Sequence, residues 1–174
     1  MKNLPVLAVF SASLAGIIAG CLYVRGMDEL QLANLAASLG NGADYNFAVQ
    51  AYTVLSSLIP PLIMAVGAAV GYGIIIVPIC MFGSSFSFAC SVSALWAGSG
   101  SLLLPLVRCA LPNLISLPFV ILFAMRLFET GRGRNGRVGV NPGAIRIPQA
   151  FAVTAVFCVL SRAVTLIVLG AVYG

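Results

Sequence analysis

Residues 45–107 read YNFAVQAYTVLSSLIPPLIMAVGAAVGYGIIIVPICMFGSSFSFACSVSALWAGSGSLLLPLV, and not one of these 63 side chains is charged. A helix crosses the hydrocarbon core with roughly 20 apolar residues, so this stretch holds two spans, or three if tightly turned. The breakers set the register. Gly71-Tyr72-Gly73 predicts one reversal and Ala97-Gly98-Ser99-Gly100-Ser101 the next. The resulting spans cover 48–70 and 73–95, with Pro60-Pro61 inside the first and Pro78 inside the second. Each proline removes a backbone donor that lipid does not replace, which predicts kinked helices packed inward. A variant reading lays 47–59 along the interface and starts the span at Pro61.

The whole chain carries the same message. Its 174 residues are 61% hydrophobic and 7% charged, with mean hydropathy +1.10. A soluble domain has about 25% charged residues, enough to coat a water-facing surface. This chain does not, which excludes a soluble enzyme, a DNA-binding module and a disordered tail. The expected fold class is all-α: a polytopic integral membrane helical bundle of about five spans, some proline-broken, forming one membrane domain over 1–174. The remaining spans are 5–24, 102–127 and 148–173. Ile18-Ala19-Gly20-Cys21 has the form of a lipoprotein cleavage box. The apolar run continues through Leu22-Tyr23-Val24, which favours a retained first span.

The charges fall between the spans. Three of the four acids, Asp28, Glu29 and Asp44, lie in 25–46, read as an external amphipathic segment. Asp28 is placed to cap a short helix over Glu29–Leu39, with Leu32, Leu35, Ala36 and Leu39 on one face. Arg126, Arg132, Arg134, Arg137 and Arg146 mark the loop 128–147 as cytoplasmic by the positive-inside rule. Glycine-arginine runs bind RNA in other settings, but this one joins two spans, and no nucleic-acid partner is expected. Counting back through the spans puts the N-terminus inside and the C-terminus outside, in a bacterial cytoplasmic membrane.

Three groups of residues stand out within the spans. Gly16, Gly20, Gly67, Gly71, Gly83 and Ser87 are the small residues expected at helix–helix contacts, with the serine-rich stretch Ser84–Ser93 hydrogen-bonding across an interface. Pro112 and Pro118, with Asn113 between them, predict a broken or re-entrant element, Asn113 and Ser116 supplying part of the missing bonding. Arg108 and Arg162 are intramembrane charges in the outer half, with no acid in any span to neutralise them. They snorkel to the surface, staple carbonyls freed by Pro60, Pro112 and Pro118, or hold an anionic ligand.

Chemistry is sparse. The chain has no histidine, and its five cysteines form no CxxC pair. The serines have no base to activate them, and no P-loop or metal set is present. No catalytic residue, cofactor or metal is expected, and the thiols read as small apolar packing groups.

The order of parts resembles the stage II sporulation protein M family of five-span bacterial membrane proteins. The likeness rests on Gly16-Ile17-Ile18-Ala19-Gly20 in the first span, the leucine-rich segment Leu30–Leu39, and the glycine-punctuated run Gly71–Gly83 with Pro78. Its most specific part is Leu111-Pro112-Asn113-Leu114 followed by Leu117-Pro118. Phe82 stands where the family often has a basic residue, and Ser87 where a glycine is expected. The resemblance implies a non-catalytic scaffold for peptidoglycan-remodelling enzymes, active in engulfment of the forespore. Its partners would be other membrane or cell-wall proteins such as peptidoglycan hydrolases, the lipid bilayer, and further copies in a homo- or hetero-oligomer. The other reading is a membrane subunit of a small transporter or channel for an anionic solute.

Overall fold

The computed structural model describes residues 4–40, 47–99, 106–133 and 147–173, and among them every regular element is helical. The order is α1 (Leu4–Arg25), α2 (Glu29–Gly40), α3 (Phe47–Val70), α4 (Gly73–Ser99), a π-helical turn (Leu106–Ala110), α5 (Leu111–Gly133) and α6 (Ile147–Tyr173). Four of these are long and apolar enough to cross a bilayer: α1, α4, α5 and α6. The chain is a multi-pass helical membrane protein. The fifth expected span, 48–70, falls on α3, 24 residues without a charge.

Helix α4 is the hub, packing on α1, α2, α3, α5 and the π-helical turn. A buried cluster of Val9, Met64, Ala68, Val77, Met81, Phe123, Ala124 and Leu127 joins α1, α3, α4 and α5. Its members are thioethers, aromatics and small aliphatics. In lipid such a core holds by close packing and dispersion, since the surroundings are as apolar as the interior.

The reversal between α3 and α4 has a clear local cause. Gly71 takes φ 97°, a conformation that costs an L side chain roughly 1–2 kcal/mol and glycine little. The Tyr72 amide donates to the Gly67 carbonyl at 2.8 Å and the Gly71 amide to Ala68 at 3.1 Å, which is the Schellman closure of a helix end. The Tyr72 carbonyl then accepts from Ile75 and Ile76, both at 3.0 Å, to start α4. The role of Gly71 is therefore to turn the chain. Gly73, read in the sequence as part of the reversal, also makes a close approach beside it: a Cβ there would lie 3.0 Å from the Leu127 carbonyl.

The prolines expected inside spans lie inside continuous helices, and the break expected around Pro112 and Pro118 is confined to the first of them. Helix α3 continues through Pro60 and Pro61, α4 through Pro78, and α5 through Pro118. The irregularity sits on the N-terminal side of Pro112, as the π-helical turn that leads into α5. A π turn holds an extra residue, which changes the register of the i→i−4 ladder where proline cannot donate. The Asn113 side-chain amide donates to the Cys109 carbonyl at 2.6 Å, and Ser116 Oγ to the Pro112 carbonyl at 2.9 Å. Helix α5 also runs to Gly133, beyond the expected span end at 127, so that Arg132, which the sequence reading gave to the loop, is helical. Arg134, Arg137 and Arg146 lie outside the described residues.

Candidate functional site: the glycine seam and the polar face around Arg162

Gly16 and Gly20 are both buried and place α1 against α4 at backbone distance. A Cβ on Gly16 would run into the Phe82 carbonyl, and one on Gly20 would lie 2.6 Å from the Phe86 carbonyl and 2.8 Å from Ala89 Cβ. Contacts climb both helices together, from Gly16 against Phe82–Phe86 to Gly20 against Phe86–Cys90. The two helices are therefore parallel. Two weak sulfur bonds cross higher up: Cys90 Sγ donates to the Gly20 carbonyl at 3.6 Å, and Ser93 Oγ to Cys21 Sγ at 3.7 Å. Ring contacts between Tyr23 and Phe86, with centroids 5.6 Å apart, extend the seam.

Gly67 is buried against the Ile76 side chain across the α3–α4 hairpin. Two residues expected in helix contacts lie elsewhere. Gly83 is exposed, and a Cβ on it would meet nothing within 4 Å. Ser87 is exposed too, and its carbonyl accepts from Ser91 Oγ of the same helix at 2.9 Å. The seam occupies another face of α4, the one bearing Ser85, Phe86, Ala89 and Cys90. That face has mixed side-chain sizes, so glycine spotting alone does not find it.

The contacts also fix which ends of the helices lie together. Ala36 of α2 meets Gly98 at the C-terminal end of α4. Leu127 of α5 lies beside Gly73 at the opposite end. Phe119 stacks on Phe157 at a centroid distance of 3.5 Å, and Phe123 meets Phe151 at 6.2 Å, so α5 and α6 are antiparallel. The start of α1, the end of α5 with Arg126 and Arg132, and the start of α6 share one end of the bundle. Arg25, α2 and the π-helical turn carrying Arg108 share the other.

Arg162 lies on α6 near that second end. The aromatic pairings place it level with the first residues of α5, and its electrostatic neighbours are Cys109 of the π-helical turn and Cys158 one turn back on α6. It is partly buried, and no hydrogen bond or ion pair joins it to another described residue. Next to it, Thr154, Cys158, Ser161 and Thr165 form a buried stripe at 4-3-4 spacing. Their hydroxyls are closed onto their own helix: Thr154 to Ala150, Ser161 to Cys158 and Thr165 to Ser161, at 2.8–2.9 Å. This is how hydroxyls tolerate a medium without water. The sequence reading missed the stripe, although the spacing is visible in it. Pro112 is fully buried and Pro118 exposed, so only the former belongs to this region.

Among the described residues no group of three or more cysteine, aspartate or glutamate side chains is placed to hold a metal ion. No protein-family model matches the chain, and no curated protein or solved structure matches it either.

Proposed function

We propose that the protein is a non-catalytic membrane scaffold that recruits or organises partner proteins. The observation that carries this reading is the one-sided attachment of α1. Its buried residues are Pro5, Val9, Gly16, Gly20 and Val24, while Leu7, Phe10, Leu14, Ile18 and Leu22 are exposed. That leaves an apolar ridge along the full height of the helix, on which a partner helix packs in place of lipid. Helix α2 supports the same reading. It packs on α4 through Ala36 against Gly98, and it presents Leu30, 75% exposed, to the outside.

In this reading the arginine-rich end faces the cytoplasm of a bacterium and α2 faces out, where cell-wall enzymes such as peptidoglycan hydrolases are found. The likeness of Leu111-Pro112-Asn113-Leu114 and Leu117-Pro118 to the sporulation protein M pattern points the same way, toward an engulfment-type scaffold. The test is photocrosslinking in cells, with the crosslinker at Leu14 and at Leu30. Covalent adducts to cell-wall enzymes at Leu30, or to a partner membrane helix at Leu14, support scaffolding. Lipid-only adducts at both sites refute it.

A second reading is a membrane subunit of a transporter or channel for an anionic solute. The observation favouring it is the partly buried Arg162 beside the Thr154–Ser161–Thr165 stripe. Co-purification of an ATPase or a solute-binding protein in mild detergent would favour this reading over the first.

A further inference from the structure

Helix α6 packs mainly on α3, α5 and the π-helical turn. Those four elements together hold one carboxylate, Glu129, in the last turns of α5. Because α5 and α6 are antiparallel, that end lies beside the start of α6. Arg162 is level with Asn113, sixteen residues up α5 from Glu129, or ~24 Å away along the helix. Arg162 also sits eleven residues before Tyr173, the end of α6, which is ~17 Å of helix.

An arginine does not neutralise itself by losing its proton in a protein. A helical Cα–Cβ bond tilts toward the N-terminus, and for Arg162 that direction leads over Cys158, into the bundle and away from the nearer membrane face. The neighbouring donors are already committed. Thr154, Ser161, Thr165 and the Asn113 amide each donate to a backbone carbonyl. What remains among the described side chains where α6 packs on the π-helical turn is the Arg162 guanidinium, with a planar fork of N–H donors and, besides Glu129 far down α5, no carboxylate within the packed elements.

We propose that Arg162, where α6 packs on the π-helical turn, binds a phosphate-type oxyanion. A guanidinium pairs with such a group by two parallel charge-assisted hydrogen bonds. The anion comes either from the phosphodiester of a membrane lipid drawn in between α5 and α6, or from phosphate in solution. This inference is independent of the scaffold reading.

The full chain, purified in neutral detergent, would be titrated separately with phosphatidylglycerol and with inorganic phosphate. Thermal unfolding and native mass spectrometry would be the readouts. The expected result is saturable stabilisation by one of the two probes, with a single bound equivalent. Arg162→Gln should weaken that binding by about tenfold or more, whereas Arg25→Gln, an exposed arginine at the same end, should leave it unchanged. Saturation by the lipid alone assigns a headgroup, and saturation by phosphate assigns a solute. Phenylglyoxal labelling of Arg162 in the unmutated protein, mapped by peptide mass, gives a readout independent of whether the variant folds; the bound probe should protect the residue. Equal binding by the Arg162→Gln variant, no response to either probe, or labelling of Arg162 that neither probe slows would each overturn the proposal.

Discussion

Replacing Gly20 by alanine tests whether backbone approach holds α1 to α4. The added Cβ would sit 2.6 Å from the Phe86 carbonyl, 2.8 Å from Ala89 Cβ and 3.3 Å from the Cys90 amide nitrogen, where ordinary contact begins near 3.4 Å. The shortfall against the carbonyl is 3.4 − 2.6 = 0.8 Å. No rotamer change relieves it, because the obstacle is backbone. Helix α1 must move out by about that amount, which thins the contacts at Gly16 and lengthens the Cys90–Gly20 and Ser93–Cys21 bonds. Overpacking of this kind costs about 1–3 kcal/mol. Thermal unfolding in neutral detergent, followed by helical circular dichroism, should register a loss of that size. Adding Ala89→Gly removes the 2.8 Å clash but not the carbonyl clash, so the double variant should recover only part of the loss. Gly83→Ala is the control. It meets nothing within 4 Å, and higher helix propensity should leave it neutral or more stable by up to about 1 kcal/mol. Equal stability of Gly20→Ala and Gly83→Ala would show that the seam does not hold the helices together.

Other expectations follow from single positions. Gly71→Ala forces a side chain into φ 97° and should lower stability by about 1–2 kcal/mol, measured by the same unfolding assay. Asn113→Ala removes the 2.6 Å bond to the Cys109 carbonyl beside Pro112 and should cost about 0.5–1.5 kcal/mol; faster amide exchange in the turn Leu106–Ala110 than in α5 would localise the effect. For sidedness, single cysteines at Tyr72 and at Leu30 in a cysteine-free background should label from opposite faces of the membrane, since the two exposed residues lie at opposite ends of α4. Neutralising Arg132, Arg134, Arg137 and Arg146 together should weaken or invert that preference, read by the same impermeant maleimide.

The fold class is legible because lipid imposes it. A chain with 7% charged residues must close its backbone hydrogen bonds internally, and helices do that within one segment. The α3–α4 reversal is legible too, because Gly71 has a local reason to be where it is. The prolines are read in part. Pro60, Pro61 and Pro78 fall inside expected spans, and α3 and α4 do continue through them; Pro118 falls in an expected broken element, yet α5 continues through it. Among the described residues the π-helical turn precedes Pro112, where Asn113 and Ser116 bond to nearby carbonyls. The glycines divide the same way. Gly16 and Gly20 pack, whereas Gly83 lies on the uncovered side of α4, and only the neighbour's position distinguishes them. The polar stripe on α6 was available from its 4-3-4 spacing, but scattered threonine and serine carry no charge to draw attention in an apolar run. Arg162 was visible at once, and the structure adds its described surroundings: thiols and closed hydroxyls, with no acid among the described residues beside it.

The parallel pairing of α1 with α4 has a consequence for biosynthesis. Two whole helices, α2 and α3, separate the partners along the chain, so α1 enters the membrane long before the surface that fits Gly16 and Gly20 has been translated. During that interval its narrow glycine groove faces lipid or the insertion machinery, and any other helix with a matching ridge is a competitor. Correct assembly therefore depends on the timing of synthesis as well as on fit, and slowing translation between α2 and α4 should lower the yield of folded protein without changing its final stability.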